Sequence, residues 1–283
     1  MKIGFIGLGI MGESMALNCI KKHTGSVHVY DVDKTKVDQL AAEGGIGVAD
    51  PRQLAADVDV IISMVPTSKH SLAVYDGILD AIKPTTICID MSTIEPSVSR
   101  SIAAKVKGRG GVFLDAPVVK SKPAAIAGQL GIYVGGDREA FETVKPILLY
   151  MGANVIHLGD NGMGLVMKIA HNTLVAQIQN GVNEMLSFAG KYGIEIDDFV
   201  TAVSYGGAQN FYLDSKSKAI RERNFATAFS VENMHKDVGI GCAMLEEARL
   251  DRPGMALVKS VYDRAMEKGY GKEDFSATYK LFE

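Results

Sequence analysis

The sequence predicts a two-domain chain, an α/β domain on a doubly wound, mostly parallel sheet followed by an all-α domain. Three observations carry this prediction. Short β-rich runs alternate with helix-forming segments as far as His157, a GxGxxG turn joins the first strand to the first helix, and beyond His157 the strand signals fade into one helical run from Leu165 to Tyr192. Strands alternating with helices of this length give a parallel sheet covered on both faces. The division falls between 1–162 and 163–283, and 283 residues suffice for two domains that each bury a core.

Lys2 to Ile6 is the first β-rich run, followed at once by GLGIMG and then by Glu13 to Lys22, whose composition suits a helix. In Gly7, Gly9 and Gly12 the first glycine permits the tight turn, the second lets backbone approach a pyrophosphate, and the third lets helix and strand pack closely. The helix N-terminus then presents free N–H groups to an anion. This is a Rossmann-type arrangement, and it implies a dinucleotide against Gly7, Gly9, Ile10, Met11 and Gly12. The next strand, Val27 to Asp31, ends in a carboxylate. Asp31 in that place accepts from the ribose hydroxyls and repels a 2′-phosphate, which favours NAD(H) over NADP(H). The plainer reading is that Asp31 begins a turn.

The alternation continues with strands near Ile46 to Val48, Asp59 to Val65 and Thr86 to Asp90, and helices from Pro51, through the seventies and from Pro96. Sheets of this kind bind ligands at the carboxyl ends of their strands. Val65-Pro66-Thr67 and Met91-Ser92-Thr93 stand at two such ends, although Ser92 and Thr93 before Glu95-Pro96 also read as a helix cap. A further strand ends at Leu114-Asp115 and runs into the loop APVVKSKPAAIAGQ, after which LGIYVGG is a strand and Asp137 opens a helix. Lys120, Ser121 and Lys122 in that loop offer ammonium and hydroxyl donors that together hold a carboxylate, sulfonate or phosphonate. A solvated basic loop accounts for them equally well.

In the second half, Asp197 to Ser204, Val231 to Arg249 and Met255 to Lys268 read as helices after the long one. Lys168 and Asn172 stand four residues apart in that long helix among Leu165, Val166, Met167, Ile169, Ala170, Leu174 and Val175. Residues at i and i+4 share a helix face. Composition alone favours Lys168 snorkelling its head to water; on a ligand-facing surface the ammonium and amide would work together. His235-Lys236-Asp237 is either a surface trio or brings a second cation to a cleft between the domains.

The bulk properties narrow the partners. A formal net charge of −3 with 22% charged residues gives no basic surplus for nucleic acid or an anionic membrane. Cys19, Cys88 and Cys242 are odd in number and far apart, against a disulfide framework or a metal site and for a reducing compartment. No apolar run approaches the ~20 residues that span a bilayer. A cytoplasmic protein with no metal is expected.

FIGLGIMG (Phe5 to Gly12), DMSTI (Asp90 to Ile94), DAPV (Asp115 to Val118), AGQLGIYVGG (Ala127 to Gly136), GMGLVMKIAHN (Gly162 to Asn172) and HKDVGIG (His235 to Gly241) resemble, in order, the blocks of the β-hydroxyacid dehydrogenases. That family includes 3-hydroxyisobutyrate dehydrogenase and tartronate semialdehyde reductase. The resemblance spans nearly the whole chain. It implies an NAD-dependent 3-hydroxyacid dehydrogenase or semialdehyde reductase in which Lys168 is the catalytic lysine and Asn172 helps hold the substrate. It also implies that Gly7 to Gly12, Asp31, Val65, Pro66, Thr93 and Lys236 face the dinucleotide, that Ser92 and the loop after DAPV meet a small anionic substrate, and that the protein is a homodimer or homotetramer.

The family's loop continues Ser-Gly-Gly where this chain has Val119-Lys120-Ser121. A hydroxyl and two glycines are lost there, and a charge and a displaced hydroxyl are gained. The change resembles the loop of sulfolactaldehyde reductases and opens a sulfonate- or phosphonate-bearing aldehyde as the alternative substrate. Two other readings are an imine reductase, which generally lacks a lysine at the position of Lys168, and an NAD-binding regulator that does no chemistry.

Overall fold

The computed structural model describes residues 1–283, which form two compact units, Met1–Lys168 and Ile169–Glu283. The first carries β1 (Ile3–Ile6), α1 (Gly12–Lys22), β2 (Val27–Tyr30), α2 (Lys34–Ala42), β3 (Ile46–Gly47), α3 (Pro51–Asp57), β4 (Val60–Ser63) and α4 (Ser68–Ile78). It continues through β5 (Ile87–Asp90), α5 (Pro96–Gly108), β6 (Val112–Asp115), β7 (Val118–Val119), α6 (Lys122–Ile126), β8 (Leu130–Gly136), α7 (Arg138–Leu148) and β9 (Gly152–His157).

The nine strands lie in the order β3-β2-β1-β4-β5-β6-β8-β7, with β9 also paired to β8. The pairs from β3 to β6 are parallel, whereas β8 runs antiparallel to β6 and β7. Side chains alternate between the two faces of the sheet, and both faces are apolar, as a doubly covered parallel sheet requires. Ile3, Phe5, Val60, Ile62, Ile87 and Ile89 join one core with Met15 and Val144, while Ile61 and Cys88 join the other with Leu54, Tyr75 and Ile102. The chain steps outward from β1 to β3, then returns to place β4 on the other side of β1. That reversal puts the topological switch point, where such sheets bind ligands, at the carboxyl ends of β1 and β4.

Three helices of the first unit start where an aspartate holds a free amide. Asp33, Asp50 and Asp137 accept from the first turns of α2, α3 and α7, the usual work of an N-cap.

The segment expected as an open loop after β6 is ordered differently. Val118 and Val119 pair antiparallel with Ile132 and Gly131, and α6 follows. Two β-branched residues favour a strand, and Gly131 makes the pairing possible because a Cβ there would lie 2.6 Å from Val119 Cγ2.

The long helix α8 (Met163–Lys191) opens in the first unit and runs into the second, which adds α9 (Ile196–Val203), α10 (Phe211–Arg221), α11 (Val231–Glu247), α12 (Pro253–Glu267) and a 3₁₀ turn, Phe275–Leu281. α10 was not expected from the sequence, since FYLDSKSKAIR has a weak apolar stripe. Its N-cap, Asn210, accepts from Leu213 N–H, and Tyr212, Leu213 and Ile220 are buried in the helical core. Gln179 and Asn183 of α8 tie that core to the 3₁₀ turn by donating to Thr278, and Gln179 also donates to the Phe275 carbonyl at 2.6 Å. No helix is long and apolar enough to cross a membrane.

Candidate active site

The carboxyl ends of β1, β2, β4, β5 and β6 form one hydrogen-bonded rim in the first unit. Gly7 takes φ +95°, a region that glycine enters without strain, and a Cβ on it would collide with the Met64 carbonyl. A Cβ on Gly12 would collide with the Gly7 carbonyl, so α1 packs directly against the turn. A Cβ on Gly9 would meet nothing within 4 Å. The three glycines thus divide into a turn, an open face and a close contact.

Ile10 is exposed, and Met11, at the N-cap of α1, makes no side-chain cap bond. The Asp31 carboxylate accepts from Leu8 N–H at 2.6 Å and Asp33 N–H at 2.8 Å. It therefore begins a turn and braces the glycine loop together. An ionised carboxylate has about four acceptor positions, so two remain for ribose hydroxyls. Open space at Gly9, an uncapped helix start and free acceptor capacity on Asp31 fit the pyrophosphate and ribose of a dinucleotide.

At the next two ends, Val65 N–H donates to Ser92 Oγ at 2.8 Å, and Ser92 N–H donates to Asp90 Oδ1 at 3.0 Å. Ser92, expected against the substrate, is 1% exposed, so its hydroxyl joins the β4 loop to the β5 loop. Pro66 is exposed and Thr93 half-buried on the same rim. Beneath them lies a buried carboxyl, Asp90, to which Ser63 Oγ donates at 3.0 Å. Burial pushes Asp90 above the ordinary carboxyl range, and the hydroxyls of Ser92, Ser71 and Ser63 oppose that push.

Beyond β6, the Val119 side chain packs on Gly131 and is buried, so it brings no polar group to a ligand. Lys120 is exposed, with φ +78° and its Nζ donating to the Gln129 carbonyl at 2.9 Å. Ser121 starts α6 without a side-chain cap bond. On α8, Lys168 and Asn172 are each 6% exposed. A lysine buried to that degree is not snorkelling to water. In the second unit, Asn172 Nδ2 donates to Asp237 Oδ2 at 2.6 Å, and Lys236 Nζ lies 3.3 Å from Asp237 Oδ1. A carboxylate only accepts, so the amide nitrogen of Asn172 must face Asp237. The carboxyls of Asp90, Asp115 and Asp237 were assigned no role from the sequence. The signal was there for two of them, because an acidic residue that closes an apolar strand needs a local donor set.

Two family models cover the chain almost end to end. Residues 2–159 match the NAD binding domain of 6-phosphogluconate dehydrogenase, and residues 162–282 match the NAD-binding domain of NADP-dependent 3-hydroxyisobutyrate dehydrogenase. The chain belongs to the β-hydroxyacid dehydrogenase family. As a member of it, the protein is an NAD(P)-dependent dehydrogenase acting on a CH–OH donor, with NAD(H) as its cofactor. Among β-hydroxyacid dehydrogenases it is 34% identical to an NAD-dependent L-serine dehydrogenase of Pseudomonas aeruginosa, over 100% of this chain and 98% of that one. It is 33% identical to a 3-hydroxyisobutyrate dehydrogenase of the same organism, over 99% and 98%. A solved 3-hydroxyisobutyrate dehydrogenase of Mycobacterium tuberculosis with L-serine superposes with a TM-score of 0.92 at 27% identity, covering 99% of this chain and 98% of that one.

Proposed function

We propose that this dehydrogenase interconverts a small 3-hydroxyacid and the matching semialdehyde, with Lys168 as general acid and base and Asn172 holding the substrate. The observation that carries the reading is the buried pair itself: Lys168 and Asn172 one turn apart on α8, each 6% exposed, with the Asn172 amide nitrogen held by Asp237.

Bound NAD⁺ supplies the redox chemistry by accepting a hydride from the carbon that bears the hydroxyl. The residues of the chain manage the proton. Neutral Lys168 Nζ takes the hydroxyl proton as the C–H bond breaks and C=O forms; in the other direction the ammonium returns it to the carbonyl oxygen. The glycine turn and Asp31 hold the pyrophosphate and ribose, and the Ser92 bridge keeps the β4 and β5 loops in place beside Val65, Pro66 and Thr93. Lys236 adds a cation for the dinucleotide.

The two directions require opposite protonation states of Lys168, the neutral amine for oxidation and the ammonium for reduction. Hydroxyacid oxidation should therefore rise in kcat/KM with pH as the neutral amine becomes available. Aldehyde reduction should be best on the acid side and fall over the same range. Rate profiles in both directions test this, and oxidation already maximal at pH 6 would rule out the lysine as base.

The substrate's acid group is assigned to the 119–121 segment. Lys120 holds a left-handed conformation that costs a lysine about 1–2 kcal/mol and a glycine little. A charge retained at that cost, beside a free Ser121 hydroxyl, favours an anion richer in acceptors than a simple carboxylate, such as a sulfonate or phosphonate. Lys120→Gly separates strain from function. The variant should melt higher while KM for the anionic substrate rises about tenfold with little change in kcat, as expected for a contact made in ground and transition state alike. A raised melting temperature with unchanged KM across a panel of acids would make Lys120 a surface residue. The discriminating screen pairs C3 to C5 hydroxyacids, sulfonates and phosphonates with NAD(H), reading cofactor absorbance.

A further inference from the structure

Asp115 closes β6 and is fully buried. Its carboxylate accepts from Gly162 N–H through Oδ1 at 2.6 Å and from Leu165 N–H through Oδ2 at 3.0 Å. Leu165 N–H, at the third position of α8, is an amide that an N-cap side chain usually satisfies, and Gly162 N–H is the amide of the N-cap residue itself, so the one carboxylate takes both halves of a capping box. Gly162 has no such side chain, and it is constrained to stay glycine: its φ is +93°, and a Cβ would lie 2.6 Å from Arg100 Nη1. The caps of α2, α3 and α7 come from two or three residues away. That of α8 comes from a strand end 47 residues upstream.

The surroundings are shaped to admit the carboxylate. A Cβ on Gly135 would lie 2.7 Å from Oδ1, and one on Gly164 would lie 2.9 Å from Oδ2 and collide with the Tyr133 carbonyl. Burial pushes the Asp115 carboxyl above its ordinary range, and the Gly162 and Leu165 amides are the groups that oppose this. The positive end of the α8 dipole acts in the same direction as those amides.

The placement ties two parts of the site to one residue. Through its backbone Asp115 leads directly into Ala116–Ser121, the segment assigned to the substrate's acid group. Through its side chain it fixes the first turn of α8, and Leu165, whose amide it holds and whose side chain is fully buried, precedes Lys168 by one turn. We infer that Asp115 is a positioning residue that sets the rotation and register of the lysine helix against the substrate segment. Without it the first turn of α8 loses its anchor to β6 and can rotate; one residue of register moves a helix side chain by about 100° and 1.5 Å. Misplacement of about 1 Å can cost a reaction about 100-fold. The inference rests on Lys168 being the acid–base group.

The test is a double-mutant cycle on the full-length protein with bound NAD(H). Asp115→Asn keeps the volume but turns an NH₂ toward one of the two N–H donors. We expect kcat to fall about 10- to 100-fold and KM to rise with it, because Asn172 rides on the same helix, while the NADH dissociation constant moves less than about threefold. In a Lys168→Ala background the same change should lower kcat no further, because Asp115 acts on the chemical step through the lysine. Amide exchange at residues 163–166 should quicken in Asp115→Asn and nowhere else on the rim. Should that variant not fold, Asp115→Ser, which leaves room for water between the amides, is read in the same way. A wild-type kcat in the variant, or a loss that multiplies onto Lys168→Ala, overturns the positioning role alone. A Lys168→Ala enzyme of near-full rate overturns the acid–base reading, and the positioning role with it.

Discussion

Lys168→Ala is expected to lower kcat at least about 100-fold in either direction, the lower end of what general acid–base help supplies. NADH binding should change little, because the glycine turn and Asp31, which are suited to the pyrophosphate and ribose, lie on other elements. The two readouts together make the prediction sharp. Loss of kcat and kcat/KM by the same factor marks an interaction made only in the transition state, whereas a rise in KM alone would mark a binding residue. A variant that keeps most of its rate would remove Lys168 from the chemistry and return it to the packing role that its apolar neighbours suggest. The substitution removes a buried side chain, so the variant's melting temperature should be recorded beside its rate.

Gly12→Ala and Gly9→Ala should fail in different ways although they alter the same hexapeptide turn. The new methyl in Gly12→Ala meets the Gly7 carbonyl, a backbone atom that cannot rotate aside. Overpacking of that kind costs typically about 1–3 kcal/mol, and with a rigid partner the upper end is expected. The first unit should melt several degrees lower, and NADH affinity should fall at least about tenfold because the turn must shift to admit the methyl. In Gly9→Ala the methyl enters open space. Stability should then hold while NADH affinity falls, since the methyl occupies the approach of the pyrophosphate. Scanning calorimetry and NADH fluorescence titration on the two variants check the contrast. Equal affinity loss without a stability difference would show that the close packing of α1 on the turn is not what Gly12 provides.

Much of this site is legible along the chain because its grammar is local. The order of strands and helices follows from apolar periodicity, and the roles of Gly7, Gly9 and Gly12 follow from backbone reach within six residues. The shared face of Lys168 and Asn172 follows from the pitch of one helix. Other parts are not legible in this way. Ser92 stands at the right strand end to meet a substrate, yet its hydroxyl accepts from Val65 N–H, 27 residues away. The Val119 side chain is buried against Gly131 across a hairpin pairing that the loop composition did not announce. Lys120 offers a charge in the sequence, but its left-handed backbone and its bond to the Gln129 carbonyl appear only in the fold.

By itself the sequence determined the α/β then all-α plan and the family, from the order of elements and blocks along the chain, and the glycine turn and the shared helix face of Lys168 and Asn172, from spacings shorter than one element; the burial of Lys168 came only with the fold. Only the tertiary structure decided which polar atoms remain to meet a ligand. Asp115 holds amides 47 residues on, and Asp237 holds an amide 65 residues back. A buried carboxylate binds whichever donors the packed elements bring within about 3 Å. That proximity belongs to the packing of whole strands and helices, and no local pattern encodes it.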